Sequence, residues 1–427
     1  MNRDGRAAAD EVRRALADVM TSERLRIVAT LIRTARDWDL AEDAVADAAE
    51  RALQRWQHDG VPANPAAWLT TTARRRAIDL IRRTDIERTK LEEIAARGEL
   101  ASGRNGSHDA SPMADDRLRL IFTCCHPALP MDARVALTLK VVSGLSTGAV
   151  ARAFLISEAT MGQRLLRAKR KIANAGIPYR IPEPDMLPER LDGVLAVIYL
   201  VFTEGYAAPV DDALADEAIR LGRLLVELLP DSDEARGLLA LMLLQHARLD
   251  ARIIDGELVT LEQQDRAKWN FTAIDEALAL EPLPRAGRGQ YRLQATLAAT
   301  HAVARDPADT DWVAIVALYD QLLALVPSPV VALNRAIAIG MKDGPQAGLA
   351  ALDALSEDTR LTDYHLLPAA RGDLLARAGR RAEAVAALDH AIALAPTDQE
   401  RRQLARRRDA LKAQPPSPPV PHPPGPA

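Results

Sequence analysis

Apolar residues return every third or fourth position along most of this 427-residue chain, and β-branched runs that alternate every second position are scarce. That spacing lays an apolar stripe along a helix and does not fill one face of a sheet. Ala and Leu dominate the apolar 48%, with only 4% aromatics, a mixture that favours helix over strand. The expected fold class is therefore all-α, and the length allows two or three domains.

Composition shifts divide the chain. Residues 10–88 read as three or four helices. Residues 98–114, "GELASGRNGSHDASPMA", read as a flexible linker. Helical patterning resumes at Asp115 and runs to about Ala175, where "GIPYRIPEPDMLPER" ends it with four prolines. Residues 190–412 are helical almost throughout, broken by Pro230, Pro282, Pro284, Pro307 and Pro327. A proline-dominated tail follows. The expected domains are 10–90, a linker at 91–114, 115–175, 190–412 and a disordered tail at 413–427. Within 190–412, "AIVALYDQLLALVP" and "AEAVAALDHAIALAP" end 69 residues apart, at Pro327 and Pro396. That is about twice the tetratricopeptide period, so a solenoid-like helical array is expected there.

Charge divides the same way. Residues 1–175 carry 29 Lys and Arg against 23 Asp and Glu, whereas the remainder carries 26 against 36. One half suits a polyanion and the other does not. The N-terminal residues lack a signal-peptide core and no apolar run reaches spanning length, so a cytoplasmic chain without membrane contact is expected.

Three helices carry the functional signals. In "NPAAWLTTTARRRAIDLIRR", Asn64–Arg83, a helical wheel puts Leu69, Ala73, Ala77, Leu80 and Ile81 on one arc. Arg74, Arg75, Arg76, Arg82 and Arg83 lie opposite, with Trp68 among them. Guanidinium pairs with phosphate and a flat ring stacks on a base, so this face points to nucleic acid. In "DWDLAEDAVADAAE", Asp37–Glu50, six carboxylates and no base exclude a DNA face and suit a protein partner. Ala133–Ile172 has helix–turn–helix punctuation. A first helix runs to Val142, Ser143–Gly144 breaks it, Ser146 can cap a second and Ser157 a third. On that third helix Met161, Leu165, Ala168 and Ile172 share one side, and Thr160, Gln163, Arg164, Arg167, Arg170 and Lys171 another, a form that suits the major groove.

Other conspicuous residues take plainer readings. Adjacent Cys124 and Cys125 cannot easily both ligate one tetrahedral ion and read as buried thiols. "FTEGY", Phe202–Tyr206, either lines a pocket or makes a helix C-cap at Gly205, and the C-cap is the favoured reading. Asp343, Gly344 and Pro345 form a contact site or a tight interhelical turn, and both readings stand. No phosphate loop, nucleophile constellation or spaced metal set appears, so neither catalysis nor a cofactor or metal is expected.

Taken together, these elements over about residues 10–175 resemble an extracytoplasmic-function type sigma factor of bacterial RNA polymerase. "AEDAVADAAERAL" is similar to the family's region 2 segment that grips the clamp helices of the largest polymerase subunit. "WLTTTARRRAIDLIRR" is similar to the segment that opens and reads the minus-ten element, and "SEATMGQRLLRAKRKI" to the minus-thirty-five reader of region 4. The resemblance implies core RNA polymerase and promoter DNA as partners. It implies polymerase contact at Asp39, Glu42, Asp43 and Asp47, with Asn64, Trp68 and the five arginines at the minus-ten element. It implies minus-thirty-five contact through Ser157, Thr160, Gln163, Arg164, Arg167, Lys169, Arg170 and Lys171. Two departures stand out. Ala49–Glu50 lie where the family often has a large aromatic, and Gly162 lies where Lys is frequent. Residues from "IFTCCHPALP" and "LAVIYLVFTEGY" to "SPVVALNRAIAI" resemble the subgroup with a large tetratricopeptide-like C-terminal extension. That implies a regulatory role for the extension through an intramolecular or protein partner, with Asp343–Pro345 as a candidate regulatory turn. The rivals are a polymerase-independent helix–turn–helix regulator and a repeat scaffold or effector sensor.

Overall fold

The computed structural model describes residues 3–35, 37–95, 116–154, 156–206, 212–254, 257–280, 289–304 and 306–413. The linker at 98–114, Pro282, Pro284, the tail and the side chain of Arg83 lie outside what is described. The described residues are almost wholly helical, and the one sheet among them pairs β1 (Ile253–Ile254) antiparallel with β2 (Glu257–Leu258). The chain forms two compact units, residues 1–204 and 205–427.

The first unit contains α1 (Arg3–Ala35), α2 (Trp38–Asp59), α3 (Pro65–Ala95), α4 (Asp116–Cys124), α5 (Met131–Leu137), α6 (Thr147–Ala153), α7 (Glu158–Asn174) and most of α8 (Leu187–Tyr206). α1 buries Ile27, Val28, Ala29, Leu31 and Ile32, and α2 buries Ala41, Ala44, Val45, Ala48, Ala52 and Trp56. These spacings make one packed face on each helix. The proline-rich stretch after α7 does more than end a helix. Tyr179 Oη donates to the carbonyls of Ala29, at 2.9 Å, and Asp116, at 3.3 Å, and Arg190 donates to Phe122 O at 2.8 Å. Cys124 and Cys125 are free and buried, and burial pushes the Cys125 thiol up to about 11.

The second unit contains α9 (Asp212–Leu228), α10 (Asp233–His246), α11 (Leu249–Arg252), α12 (Phe271–Leu280), α13 (Gln290–Val303) and α14 (Trp312–Leu325). It continues with α15 (Pro329–Asp343), α16 (Pro345–Asp353), α17 (Leu366–Arg377), α18 (Arg381–Leu394) and α19 (Asp398–Ala413). From α13 onward each helix packs on the next. Gly344 takes φ +97° between α15 and α16, a conformation that L side chains avoid, so Asp343–Pro345 is a tight interhelical turn.

One expectation fails. Gly205 does not cap α8, because the helix runs through it to Tyr206 and Gly205 is buried. Arg252 explains the extension: its Nη1 donates to Tyr206 O at 2.6 Å and its guanidinium stacks 4.0 Å from the Tyr206 ring centre. A second difference is smaller. The first helix of the helix–turn–helix ends at Leu137 and continues as a π-helical turn over Thr138–Val142, with Ser143 N bonding Thr138 O. The wider turn keeps Thr138, Leu139, Val141 and Val142 all buried.

α10 and α13 approach closely in the second unit. A Cβ on Gly237 would lie 2.7 Å from Arg292 N and 2.8 Å from Arg292 Cα. Both are backbone atoms that cannot step aside, so Gly237→Ala should destabilise this unit by about 2 kcal/mol or more. Amide exchange in α10 and α13 measures it; unchanged protection would show that the helices separate freely.

His301, near the end of α13, adds a pH dependence. Burial, then the guanidiniums of Arg248 and Arg266, lowers its pKa from 6.5 to about 4. The unfolded chain therefore binds the extra proton first. Stability is full above the unfolded value and is lost as pH falls from 6.5 towards 4, by about 3 kcal/mol at most. His301→Asn should flatten the acid limb of an unfolding profile read at α13.

Candidate nucleic-acid interface

α3 starts at a cap. Asn64 Oδ1 accepts from Ala67 N at 2.9 Å, and Pro65 occupies the first helical position. Asn64 is thus a structural residue as well as an exposed one. The cap sets the helix phase. Leu69, Ala73 and Ala77 are buried, Leu80 and Ile81 half-buried, and Arg74, Arg75 and Arg82 exposed. Arg74 and Arg75 have no carboxylate partner among the described residues. Trp68 is half-buried, with its ring edge-to-face against buried Trp56, centres 5.5 Å apart at 69°. Arg76 differs from its neighbours: it is half-buried and ion-paired to Asp47 on α2. One member of the expected DNA set and one of the expected polymerase set therefore hold each other.

α6 and α7 are capped as their serines imply. Ala149 N donates to Ser146 Oγ at 3.1 Å and Thr160 N to Ser157 Oγ at 3.2 Å. The back of α7 buries Met161, Leu165, Ala168 and Ile172. Its front exposes Thr160, Gln163, Arg167, Arg170 and Lys171. Gly162 has open space where a side chain would stand. Arg164 is partly occupied, pairing with Asp132 at 3.2 Å and lying over Phe154 at 5.3 Å.

Lys169 is placed differently from the rest of that front. Its side chain is 12% exposed, and its Nζ lies 2.6 Å from Asp39 Oδ1 and 3.0 Å from Glu42 Oε2 on α2. Burial alone would lower its pKa, but the Glu42 and Asp39 carboxylates outweigh it, and the group is held above its usual value. Arg24 Nη2 and Lys140 Nζ stand 3.6 and 3.9 Å from the other Glu42 oxygen. Arg24 also donates to Val141 O at 3.1 Å, and Arg33 pairs with Asp116 at 3.0 Å. Region 10–90 and region 115–175 thus meet through a polar joint centred on Glu42. Arg24, Lys140 and Tyr179 are not marked by the sequence: Arg24 reaches Val141, Lys140 reaches Glu42 and Tyr179 reaches Ala29 and Asp116, each more than sixty residues away along the chain. Asp43 and Asp39 remain exposed on α2.

No group of His, Cys, Asp and Glu among the described residues is arranged to hold a metal ion, and no described helix is long and apolar enough to cross a membrane.

Three family models match the chain: Sigma-70 region 2 over residues 19–86, Sigma-70, region 4 over 119–172, and a family of unknown function (DUF6596) over 190–282. An uncharacterized protein of Rhizobium meliloti (strain 1021) is 45% identical over 411 residues, covering 93% of this chain and 96% of that protein. The region 2 match takes in α2 and the first two-thirds of α3, and the region 4 match takes in α4 to α7.

Proposed function

The chain belongs to the sigma-70 family of RNA polymerase sigma factors, with regions 2 and 4 of the extracytoplasmic-function type and a C-terminal extension, and from that we propose how its faces are used. The family's role is that of a non-catalytic transcription initiation factor, with core RNA polymerase and promoter DNA as partners. In our reading, residues 10–90 bind polymerase and the minus-ten element, residues 115–175 bind the minus-thirty-five element, and residues 190–412 regulate both. Asp39, Glu42 and Asp43 face the clamp helices of the largest subunit. Trp68 receives an unstacked minus-ten base while Arg74, Arg75 and Arg82 hold the backbone of the melted strand. Thr160 and Gln163 approach base edges in the major groove, and Arg167, Arg170 and Lys171 hold phosphates.

The observation that carries this reading is the phase of α3 and α7. Each helix buries its aliphatic stripe and presents the basic one, under caps that fix which stripe faces which way. Run-off transcription with purified core polymerase and the full chain tests it. Transcripts that need the protein support the reading; promoter binding that needs no polymerase would favour the helix–turn–helix regulator instead.

The phosphate contacts have their own signature. Arg75→Ala and Arg167→Ala should each weaken promoter complexes and lower the slope of log K against log salt by about 0.7 to 0.9. An unchanged slope would remove that arginine from the phosphate contacts.

Lys169 takes another role in this reading. It ties the minus-thirty-five helix to two carboxylates meant for polymerase, so the joint must open before both faces can be used together.

A further inference from the structure

Most arginines of the second unit face carboxylates: Arg223 binds Glu276, Arg335 binds Asp320, Arg371 binds Asp353 and Arg377 binds Glu262. Among the described residues Arg248, Arg252 and Arg266 form no ion pair, and these three lie together. Arg252 is spent on Tyr206, its Nη1 on the carbonyl and its guanidinium over the ring. Arg266 Nη1 donates to His301 O at 2.9 Å and Ala304 O at 2.7 Å, with its guanidinium 4.4 Å from the Trp269 ring centre. Arg248 bonds the Tyr206 side chain and feels both other guanidiniums. The backbone closes the group, since Asn270 N donates to Ala247 O at 2.8 Å and so sets Trp269 beside Arg248.

Among the described residues the charge there is not balanced. The C-termini of α8 and α13 contribute about half a negative charge each, against three full positive ones. Asp306 and Asp309 act on Arg266 but are exposed, and among the described residues no carboxylate acts on Arg248. His301 adds no charge near neutrality. Buried donors are also left over: among the described residues Trp269 Nε1 and Arg266 Nε have no hydrogen-bond partner, and Trp269 is 4% exposed. Spare donors among unneutralised guanidiniums call for a ligand that only accepts and carries negative charge.

We propose that Arg248, Arg252, Arg266, Trp269 and His301 form a binding site for the phosphoryl group of a small ligand. Three guanidiniums outnumber what one carboxylate can use, whereas a phosphoryl group offers three acceptor oxygens and up to two charges. The depth of Trp269 and Arg248 selects a small ligand over a nucleic-acid duplex. The site lies in the extension, needs neither polymerase nor promoter, and stands apart from the sigma reading.

The test uses the full chain and the imidazole resonance of His301, assigned with a His301→Asn variant. Inorganic phosphate and pyrophosphate are titrated at ionic strength held constant with chloride. The expected result is a saturable shift with millimolar affinity or tighter and a rise in the His301 pKa, because the anion offsets the guanidiniums. Arg248→Gln should weaken that affinity at least tenfold; it is the arginine with no backbone carbonyl to hold, and its far-ultraviolet dichroism checks the fold. A His301 resonance indifferent to both anions in the wild-type chain overturns the proposal without any variant. An equal response to acetate overturns the phosphoryl assignment, and an equal response to a short DNA duplex overturns the small ligand.

Discussion

Lys169→Ala is expected to tighten binding of the full chain to core RNA polymerase, by roughly tenfold. Lys169 Nζ makes two short contacts to carboxylates that the sigma reading assigns to polymerase, and both Lys169 and Glu42 are mostly shielded from water. A hydrogen bond to a charged group contributes about 1.5–3 kcal/mol where solvent is excluded. Removing these contacts shifts the closed–open balance by an amount of that order, and about 1.4 kcal/mol is a factor of ten in apparent affinity when the open form is the competent one. Glu42 keeps Arg24 and Lys140 within 4 Å, so the variant does not strand a lone buried charge. The sign discriminates. If Lys169 instead contacts minus-thirty-five phosphate, the substitution weakens promoter complexes and leaves polymerase binding without DNA unchanged. Titration of labelled full-length protein with core polymerase, with and without promoter DNA, separates the two. Unchanged or weaker core binding would dispose of the joint as a restraint.

The sequence marks Lys169 as a minus-thirty-five contact and not its carboxylate partners on α2. The wheel of residues 158–174 places Met161, Leu165, Ala168 and Ile172 on the buried side, and burial follows it because one helix fixes those neighbours through its own geometry. The caps at Ser146 and Ser157 were legible for the same reason: each bond spans three residues. A wheel says which side is polar and says nothing about what faces it. Lys169 and Asp39 are 130 residues apart, and Arg76 and Asp47 are 29. No local pattern marks such pairs. Asn64 shows the opposite failure. "NPAAW" carries the signal of a cap followed by a first-turn proline, whereas the resemblance implies only a minus-ten contact for Asn64. Gly205 shows a third, because a glycine near a helix end reads as a cap unless a distant group holds the next carbonyl, as Arg252 does. The arginine cluster was least legible of all. Arg248 caps α11, Arg252 ends it, Arg266 opens the turn at 266–268 and His301 comes from the end of α13, and only folding brings them together.

Trp68→Ala is expected to weaken binding of the polymerase–sigma complex to a fork template with a single-stranded minus-ten element by roughly 5- to 150-fold, since stacking one base on an aromatic ring contributes about 1–3 kcal/mol. A duplex fragment carrying only the minus-thirty-five element should bind as before, because the residues of α7 that meet it are on another helix. The structure also sets the size of the competing effect. Trp68 stands edge-to-face on Trp56, a contact worth about 0.5–1.5 kcal/mol, so the substitution also loosens α2 against α3. Trp68→Phe separates the two contributions. It keeps a ring on Trp56 with a smaller stacking surface, so stability should return almost fully and fork binding only in part. Equal losses on the fork and the duplex fragment would mean that Trp68 acts through packing alone, and the base would then need another receptor on the basic face of α3.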